Sequence, residues 1–374
     1  MTVTRLPQSL RRTLATAAAA VVALTALPLL TSGPASAAPS AVSRIGRLAL
    51  PAAEITCGLV GDVPLCSHGD DGRLAPQASA GEGSRQQAGT ASTRIGCYGN
   101  GRTGARVQTV YARPIGAPDR LPSMRASFRG WAGAIDKAVD DSAHQTRGAR
   151  HVRFVTKPTA EGCELDIASV SLPPNAFASF NATVSALQQR GMAATGVKYL
   201  VWSDAKTLCG MASSYADSSP GASNANNGLY PTYARVDRSC WGYAETHELT
   251  HMLGGVQKDA PNATAGFHCR DASDVMCYDD GTTGSQQISS CTSSQSRLLD
   301  CRHDDYFSTA PVRDSWLAGH WNVAQSSFLS PVWSSQETAP APAPAPAEPA
   351  GSSQDGTGSE PAPTPSPTPL LPLP

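Results

Sequence analysis

His247-Glu248-Leu249-Thr250-His251 runs straight into Met252-Leu253-Gly254-Gly255, and this stretch constrains the fold more than any other. Residues four apart share one face of a helix, so both imidazoles can reach one metal ion. Glu248 lies one step round the same helix, where its carboxylate can touch a water on that metal without being a ligand. Leu249 and Leu253 fall on the far side, where a core would receive them. Gly254-Gly255 then ends the helix, because glycine accepts the left-handed conformation of a C-cap. The helix is predicted over about Trp241 to Leu253. Zinc held this way would polarise a carbonyl and lower the pKa of its water to about 7.

Further along, Asp274-Val275-Met276-Cys277-Tyr278 puts a methionine on a Cys-flanked turn with a tyrosine two residues later. Together with the H-E-x-x-H-x-x-G spacing, this resembles the metzincin zinc peptidases. More closely, it is similar to a group of secreted actinobacterial proteins of that type. The shared wording is His-Glu-Leu-x-His-x-Leu-Gly-Gly-Val-Gln, then His-Cys, then Asp-Val-Met-Cys-Tyr. Cys97-Tyr98-Gly99-Asn100-Gly101, Arg106-Val107-Gln108 and Asp304-Asp305-Tyr306-Phe307 also match, so the likeness spans about Cys97 to Trp333. It implies an α+β fold, with an upper lobe of mixed sheet, two long helices and the active-site helix. A small, irregular, disulfide-rich lower lobe would follow.

The resemblance also implies roles for named residues. His247 and His251 are expected as zinc ligands, Glu248 as the general base, and Tyr278 as a donor to the oxyanion of the tetrahedral intermediate. The third ligand departs from the pattern, for Gln257 stands where the family has His or Asp. An amide is a poor zinc ligand. Asp259 and His268 are the nearest replacements. Residues Lys258 to Phe267 carry Pro261, Asn262 and Gly266 and read as a loop, which could return His268 to the metal. His268 is the expected third ligand. The implied activity is a zinc-dependent endopeptidase acting on peptide or protein substrates as a monomer. The alternatives are a silent binding or cell-wall protein on the same fold, and a zinc hydrolase of a non-peptide amide.

Composition divides the chain. Arg5, Arg11 and Arg12 precede an apolar run from Leu14 to Leu30, and Ala35-Ser36-Ala37 offers small residues for cleavage, so 1–37 reads as an export signal. Residues 38–95, rich in Ala, Gly, Ser and Gln, read as a pro-segment or linker with one small Cys loop. Residues 96–333 would be the catalytic domain, and 334–374 a Pro/Ala/Ser/Thr-rich disordered tail. The expected location is secreted, extracellular, with cell-wall association through the tail an option. No other apolar stretch of membrane-spanning length is visible. The formal net charge of −1 argues against a nucleic-acid partner.

Ten cysteines in an exported chain imply disulfides. Spacing suggests Cys57–Cys66, Cys269–Cys277 and Cys291–Cys301, with Cys97–Cys163 and Cys209–Cys240 pairing the rest. Cys66-Ser67-His68-Gly69-Asp70-Asp71 also admits a thiolate on the zinc of a latent enzyme, but a partner nine residues away favours the disulfide.

Strands are predicted at Arg106–Arg113, His151–Thr156, Asp166–Leu172 and Val197–Ser203. Helices are predicted at Leu121–His144, striped by Met124, Phe128, Trp131, Ile135 and Val139, and at Asn175–Arg190. Asp217–Pro231 reads as a long loop. Asp300, Asp304 and Asp305 are weak calcium candidates, lacking the spacing of a known calcium loop. His144, His151, His303 and His320 read as structural, and no G-x-S-x-G elbow is present.

Overall fold

A computed structural model describes residues 55–72 and 95–334, except residue 229 and the side chain of residue 293. The expected export signal, most of the expected 38–95 pro-segment or linker, and residues 335–374 of the expected tail lie outside the described residues. In order the chain forms β1 (Thr56–Val60), β2 (Val63–Ser67), β3 (Arg106–Pro114), α1 (Leu121–Gln145), β4 (His151–Val152), β5 (Thr156–Thr159), β6 (Gly162–Leu165) and β7 (Ile167–Leu172). There follow α2 (Phe180–Gln189), β8 (Val197–Ser203), β9 (Gly210–Tyr215), β10 (Tyr233–Asp237), α3 (Glu245–Met252) and β11 (Leu329–Ser330). The architecture is mixed α/β.

Seven strands form one sheet in the order β1-β2-β9-β10-β8-β3-β7. β7, β3, β8 and β10 are parallel, with Val110 opposite both Ala168 and Val201, and Arg235 opposite Val201. β9 turns antiparallel to β10, and β2 antiparallel to β9. Both faces of the central strands are covered. Val107, Tyr111, Leu200 and Trp202 face a core that also holds Phe128, Ile135 and Val139 of α1 and Leu249 and Met252 of α3. Val110, Val201 and Tyr199 face Phe177, Phe180 and Leu187 at α2. This is why β8 is apolar without alternation: a strand buried on both sides gains from every apolar residue. Each such side chain contributes about 1.5–3 kcal/mol on burial.

α3 is held in place from its first turn. Glu245 Oε1 accepts from the Trp202 indole N–H of β8 at 3.0 Å and from the Gly242 N–H at 2.7 Å. The Trp202 ring stacks on Phe128 of α1, centroids 4.4 Å apart. Cys209–Cys240 ties the start of β9 to the turn before α3. Gly254, at φ 90, ends the helix; a Cβ there would strike Asn226 and Trp321.

Several expectations need correction. The second helix is not long: Pro174–Phe177 is a 3-10 turn, and α2 starts only after Ser179, whose side chain accepts from the Ala182 N–H. The strand expected at His151–Thr156 is broken into β4 and β5, which pair with different neighbours. α3 is shorter than expected, because Gly242 at φ 79 keeps the preceding residues in a turn. β9 and β10 were not predicted. Within the 38–95 segment, expected as a pro-segment or linker with a small Cys loop, residues 56–67 form a Cys-closed hairpin on the edge of the main sheet. After α3 the chain is mostly irregular, with 3-10 turns and the two-residue β11.

All five disulfides occur in the expected pairing: Cys57–Cys66, Cys97–Cys163, Cys209–Cys240, Cys269–Cys277 and Cys291–Cys301. Among the described residues no helix is long and apolar enough to cross a membrane.

Candidate metal centre

The edge of the sheet, α3 and the turn at Met276 meet at a buried group of imidazoles. His247 and His251 come from one face of α3, and their Nε2 atoms stand 3.0 Å apart. His268, from the loop after α3, brings its Nε2 to 3.2 Å from that of His251. All three rings are at most 1 % exposed, so bulk water does not separate them.

Their outer nitrogens decide what the inner ones can do. His247 Nδ1 donates to the Val275 carbonyl at 2.7 Å, and His268 Nδ1 donates to Asp280 Oδ2 at 3.0 Å. Those bonds use the Nδ1 atoms and turn both Nε2 atoms inward, towards that of His251. Burial, and then the neighbouring rings, lower the His251 pKa well below its ordinary value, so it is neutral. Three Nε2 atoms thus converge on one point, an arrangement that suits a cation between them. Imidazole nitrogens at about 2.0–2.1 Å from a tetrahedral zinc stand roughly 3.3 Å apart. The observed spacing fits such an ion.

Two residues that sequence reasoning missed complete the group. Asp71 is fully buried, its Oδ2 lies 3.0 Å from His247 Nε2, and its Oδ1 lies 3.4 Å from His268 Nε2. Oδ2 has no hydrogen-bond donor. Burial opposes its charge, but the surrounding rings of His68 and His247 outweigh that and hold it ionised. His68 stacks on His251 with centroids 4.0 Å apart. Its Nδ1 donates to the Gly69 carbonyl at 2.8 Å, and its Nε2 accepts from the Ala212 N–H at 2.8 Å. The only sequence signal was a His and an acid three apart just after a Cys-closed hairpin. Cys66 itself is bonded to Cys57, so no thiolate reaches the site.

Glu248 points from α3 towards β9 and is fully buried. Burial, and then the Asp71 carboxylate, raise its pKa to about 8, so it carries a proton in this arrangement. Its Oε2 lies 3.2 Å from His68 Nε2. The Tyr278 ring packs 4.4 Å from that of His268, and its hydroxyl donates to Asp71 Oδ1. Burial and the same carboxylate push the Tyr278 pKa far up, which keeps the phenol a donor.

The remaining candidates sort by geometry. Gln257 donates to the Tyr215 and Gly254 carbonyls at 3.1 and 2.9 Å, so it ties β9 to the end of α3. Asp259 accepts from Ser218 Oγ at 2.8 Å, outside the imidazole group. Asp300 accepts from the backbone N–H groups of Asp304, Asp305, Tyr306 and Phe307, so its oxygens close a turn instead of offering calcium ligands. His144 and His320 bond to backbone carbonyls, and His151 lies against Asp136. Cys269–Cys277 brackets the segment between His268 and Tyr278.

No family model, curated protein or solved structure matches this chain.

Proposed function

We propose that the chain is a secreted, zinc-dependent endopeptidase of metzincin type. The observation that carries this reading is the convergence of three inward-facing imidazole nitrogens beside the buried Glu248 carboxyl. His247, His251 and His268 would hold the ion. When bound, zinc supplies Lewis acidity at a carbonyl and a water of lowered pKa. Glu248 has the position of the group that holds and moves the proton. Once free of His68 and Asp71 it can accept a proton at Oε2 and return it to a leaving amine. Tyr278, with its hydroxyl a permanent donor at this spot, suits a developing oxyanion. With the β1–β2 hairpin removed, β9 would become an edge that can add one extended strand, which supports a peptide substrate. Five disulfides are compatible with export.

One observation favours the silent reading: Asp71 makes a fourth side chain on the group, and four protein ligands typify structural zinc. A mixed peptide library separates the two. The protein, freed of residues before 80 and loaded with one zinc, is expected to cut within peptides, with the cuts abolished by a chelator and restored by zinc. Zinc-loaded protein that leaves every peptide intact would overturn the peptidase reading.

A further inference from the structure

His247 and His268 stand on different segments, yet their supports lead back to one short turn, residues 300–307. The Val275 carbonyl that receives His247 Nδ1 lies just before Met276. Asp274 closes that bend, its Oδ1 accepting from the Met276 N–H at 2.7 Å. The same Oδ1 accepts from the Tyr306 hydroxyl at 2.6 Å, and Oδ2 accepts from the Cys301 N–H at 3.1 Å. Tyr306 Oη in turn accepts from the Asp300 N–H at 2.8 Å. The loop that carries His268 is tied to the neighbouring residue. Asp305 Oδ1 accepts from the Asn262 backbone N–H at 2.8 Å and from its side-chain amide at 3.3 Å. The Asn262 carbonyl accepts from the Arg270 N–H at 3.1 Å, and the Thr264 N–H donates to the His268 carbonyl at 2.7 Å. These bonds close residues 262–270 into a loop with His268 on its returning arm.

The turn is itself firmly anchored. Asp300 Oδ2 gathers the N–H groups of Asp305, Tyr306 and Phe307. Just before it, the Leu299 N–H donates to Ser142 Oγ of α1 at 2.9 Å, and Cys291–Cys301 crosslinks the turn to the preceding loop. The Tyr306 ring packs under the end of α3, where a Cβ on Gly255 would fall 2.9 Å from its Cδ2. Asp274, Asp300, Asp305 and Tyr306 are all buried, so water does not compete for these bonds. His251 needs no such support, because helix pitch alone sets it relative to His247. His268 stands on an irregular loop, so its position must be set by contacts from elsewhere in the chain.

Resting on the reading of His247 and His268 as metal ligands, we propose that Tyr306 and Asp305 are positioning residues of the metal centre. Tyr306 sets the His247 ring through Asp274 and the Val275 carbonyl. Asp305 sets His268 through Asn262. Neither touches the ion or the substrate; one rigid turn fixes the distance between two ligands that the chain delivers separately.

The test uses the full chain with cobalt(II) as the probe, at a temperature where melting curves show wild type and variants folded. Tyr306→Phe removes one hydroxyl, and Asp305→Ala removes the acceptor of both Asn262 bonds. Each should lower cobalt affinity by about 10-fold and shift the visible spectrum of the bound ion. Asp305→Asn, which keeps an acceptor oxygen but no charge, should lie between wild type and Asp305→Ala, and it carries the test if the alanine variant does not fold. In metal-free protein, proton NMR should show faster solvent exchange of the His247 Nδ1–H in Tyr306→Phe and of the His268 Nδ1–H in the Asp305 variants, each leaving the other ring unchanged. Folded variants with wild-type cobalt affinity, spectrum and ring exchange, but a lower melting temperature, would make both residues purely structural and overturn the proposal. Wild-type protein that binds no cobalt would sink the metal reading, and the exchange rates would still decide whether the turn orients the two rings. Protein that binds cobalt yet cuts no peptide would sink the peptidase reading and leave the positioning role standing.

Discussion

Gly210 stands directly against Glu248: a Cβ at residue 210 would fall 2.0 Å from Glu248 Oε1 and 2.7 Å from its Cδ. The close approach exists because β9 passes the first turns of α3, with Cys209–Cys240 drawing the two together. A bare backbone is what lets a fully buried carboxylate lie along the strand edge.

Gly210→Ala is therefore expected to displace Glu248 while leaving the imidazoles in place. Overpacking of this kind costs about 1–3 kcal/mol. Thermal melting should show that loss, zinc content should stay near one per chain, and hydrolysis by the protein freed of residues before 80 should fall by about 10² through misplacement of the base. Gly58→Ala, with nothing within 4 Å of the added atom, is the control and should change stability by less than about 0.5 kcal/mol. Unaltered turnover in Gly210→Ala would show that Glu248 does not need its present position.

Glu248→Gln keeps the size of the side chain and its helix but removes the proton acceptor. The variant, freed of residues before 80, should retain zinc by elemental analysis and lose roughly 10²–10⁴ in peptide hydrolysis. Normal turnover with zinc present would refute its role as base.

The proposed metal ligands can be ranked by titration with a competing chelator. His268→Ala should release zinc far more readily than Asp259→Ala or Gln257→Ala, whose side chains bond Ser218 and backbone carbonyls. Asp280→Asn should weaken affinity by about 10–100-fold, since Asp280 fixes the His268 ring through Nδ1. Equal zinc affinity in wild type and His268→Ala would remove the third ligand.

Loss of Cys269–Cys277, in the double Ser variant, should cost about 2–3 kcal/mol from the unfolded chain alone. Because the bridge brackets His268 and Tyr278, zinc affinity should fall with it. Equilibrium denaturation and metal titration on the same sample give both numbers, and unchanged metal affinity would confine the bridge to stability.

Tyr278→Phe deletes one hydroxyl and almost no volume. In the protein freed of residues before 80 kcat should fall by up to roughly 10²–10³ with KM nearly constant, the pattern of a donor used only in the transition state. In the full chain the same change deletes a hydrogen bond to Asp71. A variant with unchanged kcat and a lowered melting temperature would make Tyr278 structural.

Much of this molecule was legible locally. The helix bearing His247 and His251, its glycine stop, α1 and the apolar run of β8 are each coded within a few turns or one strand, where periodicity and caps act. The disulfide partners were legible too, several from spacing alone. β9 and β10 escaped because both are buried on two faces and built from small and polar residues such as Ala212, Ser213, Ser214 and Arg235, so neither alternates nor runs apolar. α2 was overextended because Asn175 to Phe177 share its helical spacing yet belong to a separate turn, after which Ser179 caps the helix proper.

By itself, then, the sequence determined that a buried helix would present His247, Glu248 and His251 together, since a pitch of about 3.6 residues is enough to do that. Only the tertiary structure decided what would face them. His68 and Glu248 are 180 residues apart in the chain, and they meet because a hairpin adds to the open edge at β9. Strand addition is governed by backbone hydrogen bonds common to every sequence, so no pattern of side chains in residues 56–72 could announce where that strand would dock.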